Sequence, residues 1–450
     1  MIKKLIIGLA IVLPMVSFAS GNAFAAESND YSVELNNVTI QASAFEQEGT
    51  LYLPVRTVSE AVGYPVVWSA AEHTVTIQKP NENIVIDMGT YSVKQGDHPF
   101  YVMNQIINGK LYMEKDFFND CLGLSVMANP LNKLVSIESV DENDITITSI
   151  GEKTEDTKLD VTLQYPQISG LADQAVADKI NALLKQEAEA AKQEGQNYIK
   201  DYDDPSGNKH EVFFDYRIKY NHNDMLSLIL LDYQYTGGAH GTTIQKSYTF
   251  NLKTGMEYGL RDLFVKDMDY AGEFDKLIKK EIKARELFEL TPFISIADDQ
   301  PYYLDNSGVT VYFQQYEYFP YAAGIQAFTA DYDTIKEFIN GNFSYLYEQR
   351  TMLNDSSLNT LMKGDMSMVT LKGNPTTGYS WEYTIEDESV IKLESESSVT
   401  DNNAIGAGST FKWSFRALKA GETKITFKYY RPWEGTANAE TTIEYLIKVN

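Results

Sequence analysis

The residues with the most particular chemistry lie near the C-terminus, in Asn374-Pro375-Thr376-Thr377-Gly378-Tyr379-Ser380-Trp381. Proline fixes φ and lacks an N–H, asparagine and threonine hydrogen-bond to nearby backbone, and glycine admits positive φ, so residues 374–378 predict an exposed loop. Trp381, Tyr383 and Ile385 alternate with polar residues, which predicts a half-buried strand leading away from it. Two later stretches carry similar loop chemistry: Gly406-Ala407-Gly408-Ser409-Thr410 and Arg431-Pro432-Trp433-Glu434. Together the three loops offer a binding edge.

Other residues fall short of a reactive site. His240 sits in Thr236-Gly237-Gly238-Ala239-His240-Gly241, and His73, His98, His210 and His222 are scattered, with no HExxH or CxxC pattern. A loop histidine bonded to backbone is the reading that fits His240. Cys121, the only cysteine, lies in the apolar run Phe117-Phe118-Asn119-Asp120-Cys121-Leu122 and reads as a buried small hydrophobe. Acidic residues are abundant, but no carboxylate pair, triad or metal cluster stands apart from them. No enzyme activity, metal or cofactor is expected.

The elements behind the three loops are strands. From Thr360 to Asn450, short alternating runs recur between turn signals: Ser367–Leu371, Ser380–Ile385, Thr410–Ala417, Gly421–Tyr430 and Ala439–Val449. This pattern over residues 360–450 predicts an immunoglobulin-like all-β sandwich. Trp381 and Trp413 are expected in its core. Trp433 follows Arg-Pro at a hairpin tip and is expected to be exposed.

A chain of 450 residues is too long for one core. Its formal net charge of −25 excludes nucleic acid as the partner, since phosphate binding needs clustered Lys and Arg, and it leaves no polybasic membrane anchor. Lys3 and Lys4, the apolar run Leu5–Phe18 and Ala23-Phe24-Ala25 read as a signal peptide over residues 1–26. No later stretch is long and apolar enough to span a bilayer. The mature chain is therefore expected to be secreted, either free or held at the cell envelope by non-covalent contacts. With one cysteine it forms no intramolecular disulfide and rests on its cores.

The segment 29–140 contains an internal repeat with an offset of 60 residues: Tyr31-Ser32-Val33 recurs as Tyr91-Ser92-Val93, and Leu51-Tyr52-Leu53 as Leu111-Tyr112-Met113. Each copy predicts strands, a short helix and a hairpin; in the first, the helix is Val55–Val62 with Gly63 as its left-handed cap. The second copy is degenerate, with Glu114-Lys115-Asp116 in place of Pro54-Val55-Arg56. Leu51 to Ile77 resembles the small N-terminal domain of copper amine oxidases, which is non-catalytic and implies no copper ligand here.

Segment 141–345 predicts a second α+β region. Its helices are about Leu171–Tyr198, with Ser169 as N-cap, Tyr270–Leu290, and a last one toward Ile339. Between them run the strands Val212–Tyr220, Met225–Tyr235 and Ile244–Leu252. Tyr235–Gly241 and Tyr316–Ile325 resemble paired domains of unknown function in exported proteins, found in a lysozyme-sensing anti-sigma factor and ahead of a peptidoglycan deacetylase. The polar residues 346–359 read as a linker. The fold class expected is thus multidomain, two α+β regions followed by the sandwich.

Residues 360–450 resemble the chagasin-type inhibitors of papain-like cysteine peptidases. NPTTGYSW matches that family's central loop, GAGST its glycine loop in part, and RPWE its third loop, in the family's order. The resemblance implies reversible occlusion of the peptidase cleft by three loops. Asn374 to Gly378, with Tyr379 beside them, would lie nearest the catalytic centre, and Gly406 and Gly408 would line the other wall. Trp433 would be the aromatic anchor, held by Pro432 and flanked by Arg431. Pro375 lowers the entropy lost on docking, Thr376 and Thr377 supply hydroxyls and small apolar contacts, and Gly378 lets the backbone approach the partner closely. Ser409 stands where the family usually has another glycine. The alternative is a cell-envelope interaction protein that binds lysozyme or peptidoglycan through its middle region.

Overall fold

The computed structural model describes residues 30–36, 38–47, 49–80, 82–130, 132–140, 142–201, 208–346, 350–400 and 408–450. The expected signal peptide lies outside the described residues. The described residues form two compact units: those within 30–33, 39–58 and 96–340 make one, and those within 34–38, 59–95 and 341–450 the other. The architecture is multidomain and mostly β, with few helices. The two regions expected as α+β are thus richer in strand than their periodicity implied.

The repeat is visible in three dimensions. Strand Thr50–Pro54 runs into α1 (Val55–Ala61), and strand Lys110–Glu114 runs into α2 (Lys115–Leu122). A hairpin follows each helix, Val66–Ser69 with Thr74–Lys79 and Leu124–Asn129 with Leu134–Ser139. Gly123 closes α2 at φ +64, a conformation a side chain would strain. Cys121 is fully buried in α2, as its apolar run predicted.

The degenerate second copy has a physical reason. On α2, Asp116 and Asp120 both accept from Lys219 Nζ, at 3.2 and 2.9 Å, and that ammonium is buried. Burial disfavours its charge, but the two carboxylates hold the Lys219 pKa well above the ordinary lysine value. Asn119 Nδ2 donates to Asp305 at 3.3 Å, and Ser125 Oγ to the Asn306 carbonyl at 3.0 Å. His98, one of the scattered histidines, is buried with Nε2 2.5 Å from Asp215 Oδ1. Of the three residues that broke the repeat, Asp116 bonds the middle region directly, beside Asn119, Asp120 and Ser125 of the same copy.

In that region a five-stranded sheet runs β1 (Thr146–Glu155), β2 (Leu159–Ser169), β3 (His210–His222), β4 (Met225–Tyr235) and β5 (Thr242–Asn251), in that order. β2 and β3 are parallel, so the chain between them crosses over as α3 (Gln174–Asp201). Val176, Ile180, Leu184, Ala188 and Ala191 recur at helical spacing and bury against Leu163, Phe214 and Leu228. The expected cap is corrected: Ser169 ends β2, and Asp173 Oδ1 accepts from the Ala175 N–H at 2.9 Å. A three-stranded sheet comes next: β6 (Tyr302–Leu304), β7 (Gly308–Phe313) and β8 (Gln326–Asp331). The second predicted helix is shorter than expected, α4 (Tyr270–Ala284), because Glu286 turns to φ +49.

Asp232 on β4 carries a pH dependence. Burial pushes its carboxyl up to about 6, against a hydrogen bond from Gln234 Nε2 at 3.1 Å. A folded-state value above the unfolded one favours the fold at low pH, and that contribution is lost as pH rises from about 4 through about 6. Asp232→Asn is expected to flatten the stability slope over that window and to raise stability at pH 8 by about 1–2 kcal/mol. Urea unfolding across pH measures both; an unchanged slope would exclude Asp232 as its source.

The C-terminal segment is two four-stranded sheets around one core. One sheet has the order β9 (Arg350–Met352), β11 (Met366–Gly373), β14 (Ser409–Ala417), β13 (Ile391–Thr400). The other has β10 (Asn359–Leu361), β16 (Thr441–Val449), β15 (Gly421–Tyr430), β12 (Ser380–Ile385). Phe427 is fully buried at the centre, with ring centroids 4.6 Å from Trp413 and 5.9 Å from Tyr445. The expected linker needs correction. Residues 350–352 pair in parallel with β11, and Leu353 is part of the core, so 346–359 is not a free tether.

Candidate functional site

Strand register brings the loops to one end of the two sheets. β11 ends with Gly373 opposite Ser409, and β12 begins with Ser380 opposite Tyr430. The connection from β11 to β12, residues 374–379, therefore passes between the start of β14 and the end of β15. Gly408 directly precedes β14 and Arg431–Glu434 directly follows β15, at the same ends. Gly406 lies outside the described residues; Gly408 is half-buried directly before β14. Ser409, in place of a family glycine, is the first residue of β14 and is buried, so it belongs to the strand rather than the loop.

Asn374 organises the central turn. Its Oδ1 accepts from the Thr376 N–H at 3.1 Å and from Thr376 Oγ1 at 2.6 Å. Its carbonyl accepts from Thr377 Oγ1 at 2.6 Å and from the Thr377 N–H at 3.1 Å. Its own N–H donates to Tyr429 Oη at 2.6 Å, which fastens the turn to β15. Pro375 to Thr377 form one 3₁₀ turn that Gly378 closes at φ +81. Both threonine hydroxyls thus spend their hydrogens inside the turn. What they offer a partner is acceptor capacity and methyl groups, a narrower role than the sequence suggested.

Gly378 and Trp433 meet. A β-carbon on Gly378 would lie 2.3 Å from Trp433 Cη2, so the indole edge rests on bare backbone there. Gly378 was expected to leave room for a partner; instead it leaves room for Trp433. Trp433 is nonetheless 71% exposed, on the 3₁₀ turn Pro432–Glu434. Arg431 lies 4.6 Å above the Tyr379 ring and reaches Glu434 Oε1 at 3.3 Å. Tyr379 in turn stacks on Tyr429 at 5.1 Å. Trp413 is in the core, whereas Trp381 is only half-buried, packing 4.8 Å from Tyr429 and donating Nε1–H to the Lys372 carbonyl at 3.0 Å. It braces the base of the turn, a role that alternation alone does not reveal.

Nearby, the Tyr430 hydroxyl donates to the Glu382 carboxylate, which raises the phenol above its ordinary pKa. The two described loops hold hydroxyls bound within their own turn, a guanidinium and an indole, with no base beside a nucleophile. They form a surface for contact. Elsewhere, His240 is exposed, with Nδ1 2.9 Å from the Gly241 carbonyl and its ring stacked 3.7 Å from Tyr321, as a backbone-bonded loop histidine should be. Among the described residues, no group of three or more His, Cys, Asp or Glu is placed to hold a metal ion.

Comparison with known families gives four partial matches. Residues 32–137 match the copper amine oxidase N-terminal domain, 152–243 the deacetylase PdaC profile, and 261–333 a family of unknown function, DUF3298. Residues 360–448 match the chagasin family of peptidase inhibitors. Amoebiasin-1 of Entamoeba histolytica is 34% identical over 100 residues, which is 22% of this chain and 92% of that protein. Chagasin of Trypanosoma cruzi is 29% identical over 20% of this chain and 87% of its own length. A peptidoglycan-N-acetylmuramic acid deacetylase of Bacillus subtilis is 28% identical over 24% of this chain, but only 23% of that enzyme's length is spanned. Through its C-terminal residues 360–448, the chain belongs to the chagasin family of peptidase inhibitors.

Proposed function

We propose that this protein is a secreted, non-catalytic inhibitor of papain-like cysteine peptidases that acts by reversible occlusion of the active-site cleft. The observation that carries this reading is the pairing of an exposed Trp433 with the rigid 374–378 turn, indole against Gly378. We read the two sheets as an immunoglobulin-like sandwich whose loop end enters the cleft. Asn374 to Gly378 face the catalytic cysteine and histidine. Trp433, with Arg431, Pro432 and Tyr379, covers one wall, and Gly406 and Gly408 approach the other. A pre-ordered turn loses little entropy on docking, and an anchor of indole and guanidinium is the chemistry of interface hot spots. Removal of residues 1–26 on export would deliver the loops outside the cell.

The chain lacking residues 1–26, titrated against papain, is expected to inhibit reversibly at one-to-one stoichiometry, with the 374–378 turn uncut. No inhibition at high micromolar concentration, or cleavage of the turn with recovery of activity, would refute the proposal.

A further inference from the structure

The other compact unit has an unfilled place at the edge of β5. This strand pairs with β4 on one side only. Alternate residues of such a strand turn N–H and C=O outward together. Here they are the odd-numbered ones. Thr243 N–H donates to Gln315 Oε1 at 3.2 Å, Gln245 N–H to Gln314 Oε1 at 3.1 Å, and the Thr249 carbonyl accepts from Tyr258 N–H at 2.9 Å. Ser247 belongs to the same series, and neither its N–H nor its C=O has a partner among the described residues. Both open onto a groove of about 470 Å³ between β5, residues 257–261 and residues 298–302. That volume suits a small ligand or a peptide side chain with its neighbours.

The geometry selects the ligand. The outward N–H and C=O of one extended residue point the same way. A trans secondary amide points its own two groups in opposite directions and meets only one of them. A primary carboxamide presents its oxygen and one N–H side by side and meets both. The protein already does this one step along the strand: Gln314 accepts from Gln245 N–H, and its Nε2 donates to the Gln245 carbonyl at 2.7 Å. Addition of a whole strand is blocked, because Gln314 covers Gln245 and Tyr258 occupies Thr249. We propose that the Ser247 groove binds the carboxamide of a glutamine or asparagine on a peptide partner.

Charge narrows the partner further. Asp298 and Asp299 stand exposed on the groove wall, and Asp298 is shared with Arg261 at 3.0 Å. Across the lining Glu257, Asp298 and Asp299 outnumber Lys246 and Arg261, and in a chain of net charge −25 that balance favours lysine or arginine next to the carboxamide. This site is in the unit without the inhibitor loops, so it stands or falls apart from peptidase inhibition.

The test uses the full chain with 15N-labelled serine and the peptide acetyl-Lys-Gln-Lys methyl ester, which has no other primary amide. The Ser247 amide resonance, assigned through its disappearance in Ser247→Ala, is expected to shift and saturate at millimolar peptide. Glutamate or leucine in place of glutamine should weaken binding at least about tenfold, since each loses one of the two paired bonds or both. Saturation transfer to the peptide should persist in Ser247→Ala, which keeps the backbone N–H, and vanish in Ser247→Pro, which removes it. Proline is tolerated on an outward-facing edge position; an unchanged thermal midpoint checks this, and if the variant unfolds the comparison of peptides on the native chain decides. Equal binding of the three peptides, binding unchanged in a folded Ser247→Pro, or no shift of Ser247 would overturn the proposal.

Discussion

Trp433→Ala is expected to weaken inhibition of papain by about 30- to 1,000-fold, a loss of about 2–4 kcal/mol, with most of the change in the dissociation rate. Trp433 is the largest exposed apolar side chain on the described loops, and its backing by Gly378 holds it without a partner's help. Truncation removes its contact area and leaves the turn beside it uncovered. The fold should be unaffected, because the indole lies outside the core built on Phe427. Surface plasmon resonance with immobilised, active-site-blocked papain separates the two rates. A dissociation rate equal to that of the native protein would remove Trp433 from the contact surface.

Gly378→Ala is expected to cost nearly as much, although it adds only a methyl group. At φ +81 an alanine is strained by about 1 kcal/mol. The larger consequence is steric: the new carbon would sit 2.3 Å from Trp433 Cη2, so the indole must leave its seat. The expected result is a 10- to 100-fold loss of inhibition, about 1.4–2.8 kcal/mol, with the thermal midpoint lowered only slightly. If the effect runs through Trp433, the two substitutions are not additive: in a Trp433→Ala background, Gly378→Ala should lose little more. Full additivity would mean that Gly378 acts on the peptidase directly, as the sequence alone suggested.

Much of this surface was legible in the sequence because it depends on local rules. The Asn-Pro-Thr-Thr-Gly turn forms from side chains that bond within five residues, and Ser380–Ile385 and Gly421–Tyr430 alternate cleanly enough to fix their boundaries. What escaped depends on distant partners. Nothing in residues 374–378 announces that Tyr429 will hold their first N–H or that Trp433 will lie on Gly378. Strand β13, Ile391–Thr400, escapes because its Glu-Ser-Glu-Ser-Ser run is polar and a bulge between Leu393 and Ser395 breaks its alternation. β9 reads as linker because a three-residue strand carries no periodicity and is recognised only through β11. Ser409 looks like a defective loop glycine, since a family pattern does not say where the strand begins.

The Lys219 cluster has a consequence for how the chain can be taken apart. A duplicated sequence suggests two interchangeable parts and a clean cut at residue 140. Cutting there would strip Asp116 and Asp120 from a lysine that has almost no contact with water, and break the Asn119–Asp305 and Ser125–Asn306 bonds as well. An ammonium so stranded must draw in solvent or give up its proton. Where the first copy has Arg56, the second has Asp116, and that anion serves a neighbouring region rather than its own repeat. Duplication supplied the fold twice, and divergence made one copy inseparable from the middle region.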